Sequence, residues 1–140
     1  MEIADNNKLV VLEEGTEFTP QFEKRGGLLP AAVQETTSGQ ILMLASLNAE
    51  ALEKTIQTGL ATFWSTSRNT LWTKGETSGD FLTIDHILVD CDQDAFVYKV
   101  TLQGEGVCHT YNQKGEHRKA CFYRNLNTEK STLQFIEEMK

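Results

Sequence analysis

A series of short apolar segments, separated by polar and glycine-containing stretches, most restricts what this chain can fold into. Such segments are typical of strands joined by turns, because a helix with one buried face needs a longer periodic pattern. Pro30 predicts an edge position for the strand that contains it, since proline has no N–H to donate to a neighbouring strand. We predict strands at residues 9–12, 28–34, 40–46, 60–65, 81–89, 95–102, 107–111 and 120–125.

Two other segments have helical signals. Residues 48–58 begin with an asparagine suited to capping and precede Gly59, which suits a left-handed helix exit. In residues 131–139, Ser131 and Gln134 stand at capping-box spacing. The expected fold class is therefore α+β, mainly β with two short peripheral helices. We expect an N-terminal lead-in at residues 1–23, one domain at 24–125 and a C-terminal helical tail at 126–140.

The charge and the apolar pattern exclude several classes of partner. A formal net charge of −7 argues against nucleic acid and anionic membranes, since both favour a basic surface. The most apolar run, residues 41–45, is far shorter than the roughly 20 residues that span a bilayer. Residues 1–7 are polar and lack the basic-then-apolar pattern of a secretory signal. We therefore expect a cytoplasmic protein whose three cysteines stay reduced.

A thiol stands within a run of carboxylates at Asp90-Cys91-Asp92-Gln93-Asp94. Carboxylates suit hard cations such as magnesium, whereas a thiolate suits zinc. In an extended segment alternate side chains share a face, so the aspartates would lie on one side and the cysteine on the other. A polar hairpin turn whose aspartates accept backbone hydrogen bonds is the alternative. An EF-hand loop is excluded, because a strand-like sequence follows instead of a glycine and a distal glutamate.

Cys108 and Cys121 complete the set of three cysteines, and His109 follows the first of these two. Three sulfur ligands would leave the fourth position of a tetrahedral zinc ion for water, as in catalytic sites. The spacing includes no Cys-x-x-Cys pair, so buried, unreactive thiols are the alternative. We favour proton transfer over metal ligation for His109, because neighbouring residues in a strand point to opposite faces. His86 and His117 are expected to have structural roles.

The loop at residues 72–79 combines several groups that suit a nucleotide. Trp72 offers a surface for stacking on a base, while Lys74 and Ser78, beside glycine backbone, suit phosphate. The spacing of glycine and lysine is not that of a Walker loop. A solvated loop without a ligand is the alternative.

Taken together, these segments resemble the phosphoribosyl-AMP cyclohydrolase family, whose members open the adenine ring of phosphoribosyl-AMP in histidine biosynthesis. The resemblance covers residues 27–124 and depends on the ordered occurrence of all its motifs. The motifs are Leu29-Pro30-Ala31-Ala32-Val33-Gln34, Ile41-Leu42-Met43-Leu44-Ala45, residues 48–53, Phe63-Trp64-Ser65-Thr66-Ser67-Arg68, residues 71–79, residues 90–94, Cys108-His109-Thr110 and Cys121-Phe122-Tyr123-Arg124.

The resemblance implies two metal sites in an intertwined homodimer. The family's magnesium ligands correspond to Asp90, Asp92 and Asp94. Its zinc ligands correspond to Cys91, Cys108 and Cys121. Because the family completes its zinc site across the subunit boundary, Cys91 would come from one chain and the other two cysteines from its partner.

The implied activity is hydrolysis of the N1–C6 bond of phosphoribosyl-AMP, the third step of histidine biosynthesis, by a zinc-activated water. His109 would act in catalysis by moving a proton between that water and the ring nitrogen. Lys74 and Arg68, with magnesium, would neutralise the phosphate groups that an acidic chain otherwise repels. Trp72 would pack near the base or ribose, and Ser78 completes the predicted substrate contacts.

The chain departs from the family at two places beside this predicted site. Tyr111 stands where typical members have glycine, and residues 112–119 form a charged insertion, called the inserted loop below. Asp80 stands where many relatives have histidine. These departures leave open a paralogue acting on another purine-like substrate and a non-catalytic metal-binding protein. A thiol hydrolase using Cys108 and His109 is the remaining alternative.

Overall fold

The computed structural model describes the backbone of residues 3–140 and the side chains of residues 8–140. The described residues form two α-helices and eight strands, which confirms a mainly β fold with two helices. The elements are α1 (Ile3–Glu14), β1 (Leu29–Glu35), β2 (Ile41–Leu47), α2 (Ala49–Thr58), β3 (Thr62–Ser65), β4 (Thr70–Thr73), β5 (Leu82–Val89), β6 (Phe96–Leu102), β7 (Arg124–Asn127) and β8 (Thr132–Phe135). Neither of these helices is long and apolar enough to cross a membrane.

Six strands form a curled mixed sheet in the order β4-β3-β2-β1-β6-β5. All neighbouring pairs are antiparallel except β1 and β6, which run parallel. The sheet curls because the start of β5 bonds to the residues that precede β3. The N–H of Ala61 donates to the carbonyl of Leu82 at 3.0 Å, and the N–H of Ile84 donates to the carbonyl of Gly59 at 2.8 Å.

Helix α2 packs against β2 and β3, and it forms where the sequence predicts it. The side chain of Asn48 accepts a hydrogen bond from the N–H of Ala51 at 2.8 Å, which satisfies one free donor of the first turn. Gly59 ends the helix with a φ of 74°, a conformation that a residue with a Cβ adopts only at a cost. Ala51 and Leu52 are buried, so the apolar stripe of this helix closes one side of the core.

The C-terminal tail is a β-hairpin, so the predicted helix over residues 131–139 is wrong. Strands β7 and β8 pair in a separate two-stranded sheet, and only Glu137–Met139 forms a single 3-10 turn. The turn between the strands explains the error. Asn127 accepts hydrogen bonds from the N–H groups of Glu129 and Lys130, both at 3.1 Å, and Ser131 has a left-handed φ of 52°. Ser131 therefore ends a turn and does not cap a helix.

Four other expectations are corrected by the structure, and one of them is the strand at residues 120–125, where only the last two residues are extended, as the start of β7. Residues 9–12 lie in α1 and form no strand, because a helix satisfies its own backbone groups without a neighbouring strand. Residues 107–111 form an irregular segment that bonds locally, with the N–H of Cys108 donating to the carbonyl of Arg118 at 3.0 Å. Pro30 lies in β1 between two neighbours, not at an edge. It is tolerated there because the pairing with β6 begins only at Ala31.

Candidate active site

One cavity of about 210 Å³ collects most of the residues that the sequence singles out. It opens between the segment after β4 and the segment that contains Cys108. The predicted substrate-binding residues and the predicted proton carrier all line it: Arg68, Trp72, Lys74, Ser78 and His109. Cys108, Asp80 and His117 line it as well.

The loop that follows β4 is held in shape by close backbone contacts. Gly75 has a φ of 93°, and a Cβ at this position would lie 2.4 Å from the backbone of Asp80 and Phe81. The N–H of Gly79 donates to the carbonyl of Gly75 at 2.7 Å. The N–H of Lys74 donates to the carbonyl of Ala61 at 3.0 Å, which ties the start of the loop to the sheet. The backbone of this segment is thus packed and bonded, although residues 76–79 are exposed, and its binding role stays a prediction.

Cys108 and Cys121 lie side by side next to this cavity. Cys108 is buried, and its sulfur lies 2.9 Å from the hydroxyl of Thr110. Cys121 is anchored by its N–H, which donates to the carbonyl of Leu42 on β2 at 2.7 Å. Burial of the sulfur raises the pKa of Cys121 to about 11, and the adjacent Cys108 raises it further than Lys74 lowers it. A soft cation bound between the two sulfurs would displace the proton that Cys121 keeps.

Cys91 does not join these two thiols within one chain. It is exposed and lines a different depression of about 440 Å³, together with Gln93 and residues of the segment after α1. Among the described side chains, the one group of three with the spacing of metal ligands is formed by aspartates instead. A zinc site with all three cysteines therefore cannot form in an isolated chain of this shape.

The segment Asp90–Asp94 is a turn between β5 and β6, so the expected alternation of an extended strand is wrong. The N–H of Gln93 donates to the carbonyl of Asp90 at 3.2 Å, and Gln93 has a left-handed φ of 58°. The turn nevertheless gathers the three carboxylates, with one oxygen of each lying within 4.8 Å of the others. Such a set of hard oxygen donors fits a magnesium ion.

Two basic residues from the 3-10 turn Phe22–Arg25 pair with this aspartate cluster. The Nζ of Lys24 lies 2.8 Å from Asp92 and 2.9 Å from Asp94, and Arg25 lies 2.9 Å from Asp94. The hydrogen bond from Lys24, aided by Arg25, holds the pKa of Asp94 well below its usual range. Burial raises the pKa of Asp90, although its carboxylate accepts the N–H groups of Asp94 and Ala95. A depression of about 490 Å³ separates this cluster from α1.

The inserted loop is an anchored hairpin. The side chain of Asn112 accepts the N–H of Glu116 at 3.0 Å, which closes the turn. The Nε of Arg118 donates to the carbonyl of Met139 at 2.7 Å, and its guanidinium lies 4.3 Å from the centre of the Tyr123 ring. The inserted loop and the C-terminal segment thus support each other.

His117 is the cavity residue that the sequence reasoning missed, since a structural role was expected for it. Its Nδ1 lies 2.9 Å from the carbonyl oxygen of Cys108, and its ring stacks on Tyr111 with 4.4 Å between the centres. The turn residues Asn112 and Gly115 were the available signal, because a turn between them brings residues 111 and 117 opposite each other. His86, by contrast, lies exposed on β5, away from the cavity.

Comparison with known proteins identifies the family to which this arrangement is similar. Residues 43–123 match the family model described as phosphoribosyl-AMP cyclohydrolase. The phosphoribosyl-AMP cyclohydrolase of Chelativorans sp. (strain BNC1) is 50% identical over 119 residues, which cover 84% of this chain and 81% of that protein. Those of Hyphomonas neptunium and Sinorhizobium fredii are 50% and 47% identical, covering 81% and 84% of this chain and 81% and 74% of the respective proteins.

Proposed function

Because this chain belongs to the phosphoribosyl-AMP cyclohydrolase family, and is thus a hydrolase of a cyclic amidine C–N bond, we propose that it opens the adenine ring of phosphoribosyl-AMP. Water adds to C6, the N1–C6 bond breaks, and a proton reaches N1. This is the third step of histidine biosynthesis. The proposal rests on one observation. The residues predicted to bind the base and the phosphates line a single cavity, and His109 and Cys108 line it as well.

We propose that Cys108 and Cys121 hold zinc together with the partner's Cys91. The side-by-side arrangement of the first two thiols supports this ligand set, and the separation of Cys91 in its own chain requires a second copy. An intertwined homodimer follows from the same requirement. When bound, zinc supplies a water molecule that is nucleophilic near neutral pH.

Magnesium would be held by Asp90, Asp92 and Asp94, whose carboxylate oxygens already converge. Lys24 would have to move aside, since its ammonium group lies between Asp92 and Asp94. Because two of these aspartates flank Cys91 in sequence, the partner's Cys91 would bring the partner's aspartate turn to the same cavity.

The residues that line the cavity have separate roles in substrate binding and proton transfer. Lys74 and Arg68 carry positive charge and donate hydrogen bonds, so they suit the phosphate groups. Trp72, which packs against Phe63 with 5.1 Å between ring centres, offers a fixed face to the base or ribose. Ser78 adds a hydroxyl for the ribose or phosphate. His109 takes a proton from the attacking water and delivers one to N1 as that bond breaks.

Incubating the purified protein with phosphoribosyl-AMP, zinc and magnesium tests the proposal. We expect a ring-opened product that is heavier than the substrate by one water molecule, detected by mass spectrometry. His109→Asn should lower turnover strongly, whereas His86→Asn, a matched change on an exposed strand, should leave it intact. Absence of turnover under every combination of the two metals would favour the non-catalytic metal-binding alternative.

A paralogue with a different purine-like substrate is supported by one feature, the inserted loop, which places His117 at the cavity wall. Product analysis with other 6-substituted purine nucleotides would reveal it. The division into a lead-in at residues 1–23, a cyclohydrolase-like domain at 24–125 and a tail at 126–140 stays a prediction. The cytoplasm is the compartment that we propose, because all three cysteines are free thiols.

A further inference from the structure

His117 reaches the cavity from the inserted loop, so it is a wall residue that the typical family pattern does not provide. Its ring lines the same cavity as Lys74, Cys108 and His109. Tyr111 stacks on the ring at 4.4 Å with 29° between the two planes, which restricts the rotation of the imidazole. The side chain is therefore placed with a defined orientation next to the proposed reaction centre.

The contacts of the ring decide which of its nitrogens can serve a ligand. Nδ1 lies 2.9 Å from the carbonyl oxygen of Cys108, and a carbonyl oxygen can only accept a hydrogen bond. In the neutral imidazole Nδ1 therefore carries the hydrogen and donates it. Nε2 is left with a free lone pair and can accept a hydrogen bond from a ligand.

The region of the substrate nearest to His117 is set by the neighbouring thiols. The Nδ1 of His117 lies 2.9 Å from the backbone carbonyl oxygen of Cys108, and both residues line the cavity in which purine C6 must sit for the proposed ring opening. The substituent on that carbon is a nitrogen that carries N–H. Lys74 and Arg68 only donate hydrogen bonds and cannot pair with it. Asp80 and Glu76 also line the cavity, but the Oδ1 of Asp80 accepts the N–H of Glu105 at 3.3 Å and Glu76 is exposed, whereas the His117 ring is fixed beside Cys108 by its Nδ1 contact.

We propose that His117 determines specificity for a 6-amino purine, because its Nε2 accepts a hydrogen bond from the nitrogen on C6. A purine with oxygen at C6 presents an acceptor at the same place. The lone pair of Nε2 and that of the oxygen then face each other without a hydrogen between them. This inference depends on the proposed function, since it assumes that C6 lies beside Cys108. It makes His117 a recognition residue rather than a proton carrier.

The test compares the binding of AMP and IMP, which differ at C6, to the metal-loaded protein by calorimetry. Wild type should bind AMP about tenfold more tightly than IMP, the size expected when a polar site loses its matching group. His117→Ala removes both ring nitrogens. In His117→Asn the amide nitrogen retains the donor to the Cys108 carbonyl, and only the acceptor at Nε2 is lost. Both variants should weaken AMP binding about tenfold and change IMP binding less than twofold.

A purely structural histidine gives a different pattern. His117→Asn would then bind AMP like wild type, while His117→Ala would weaken both nucleotides equally, and either result overturns the proposal. Wild-type protein that shows no preference for AMP, or does not bind it, overturns it too. His86→Asn controls for the loss of an imidazole elsewhere. Turnover of phosphoribosyl-AMP by wild type is measured separately, so failure of the proposed function is distinguished from failure of this inference.

Discussion

The thiol pair at the cavity and the aspartate turn between β5 and β6 are both candidate metal sites, yet the chain prepares them in opposite ways. Burial and the adjacent Cys108 raise the pKa of Cys121 more than the charge of Lys74 lowers it, so this thiol keeps its proton. The aspartate cluster already holds its own cations, Lys24 and Arg25. The thiol pair therefore lacks a third sulfur ligand. The aspartate cluster has its three carboxylates, but two basic side chains already pair with them and would compete with a metal ion.

This difference has a consequence for assembly. A missing third thiol can be supplied only by another molecule, because Cys91 lies elsewhere in its own chain. A resident ammonium group, in contrast, stabilises the aspartates in a single chain and has to be displaced when a metal binds. We therefore expect zinc binding to depend on the dimer and magnesium binding to depend on Lys24.

The largest expected effect comes from the cysteines. Cys108→Ser and Cys91→Ser should each abolish zinc retention and turnover, because each removes one of three sulfur ligands. Zinc is measured by elemental analysis of the purified variants, and turnover by product formation.

A heterodimer of the two serine variants decides whether the site is shared. Co-expressed with different tags and purified as a mixed dimer, it contains one site with all three cysteines, so it should recover about half of the wild-type activity. If the zinc site belonged to one chain, the mixed dimer would be as inactive as either parent, which contradicts the proposed arrangement.

Removing the ammonium group of Lys24 should change the metal affinity of the aspartate cluster, by a smaller factor than the cysteine variants change zinc binding. Lys24→Met should tighten binding of manganese, used as a paramagnetic substitute for magnesium, on the order of tenfold at low salt. The reason is that the ion would no longer compete with an ammonium group for Asp92 and Asp94. Lys54→Met on the exposed side of α2 is the matched control, and equal affinities in both variants would disprove the competition.

Acid should destabilise the protein through Asp94. Its pKa is lowered in the folded state by Lys24, so this contribution is present above the unfolded pKa of about 3.9 and is lost as the pH falls through the folded pKa. The urea midpoint, measured with a chelator, should therefore drop more steeply below about pH 4 in wild type than in Asp94→Asn. Parallel pH profiles would show that this ion pair contributes nothing.

Replacing Tyr98 should change stability by a small amount and leave both candidate metal sites unchanged. Its hydroxyl is fully buried and has no hydrogen-bond partner among the described residues, and burial raises its pKa to about 12. Tyr98→Phe should raise the free energy of unfolding by roughly 1 kcal/mol. Wild type should also lose more stability than the variant between about pH 10 and 12, because its unfolded state loses this proton first. Thermal unfolding at pH 8 and 11, with zinc content as control, checks both expectations.

Local chemistry explains which elements could be predicted. Helix α2 has its capping Asn48, its apolar stripe and Gly59 in one continuous segment, so the whole element is specified between residues 48 and 59. The tail shows the limit of the same reasoning. Ser131 and Gln134 have helix-start spacing, but the hydrogen bonds of Asn127 close a turn that makes β8 the partner of β7.

The candidate site divides in the same way. Trp72, Lys74 and Ser78 were predicted as a group because they lie within seven residues of sequence, and the structure places them on one cavity. Lys24 and His117 were not predicted as site residues. The first meets Asp92 across 68 positions of sequence, and the second faces Cys108 only because the inserted loop folds back.

By itself, the amino-acid sequence determined the family, the short strands, helix α2 and the types of ligand atom, since these depend on residue chemistry and on neighbours along the chain. Only the tertiary structure decided that Cys91 stands apart from the other two thiols, that the aspartates carry resident cations, and that His117 reaches the cavity. Those facts depend on how the sheet curls and how its loops fold back, because contacts between distant segments arise from packing and not from spacing in sequence.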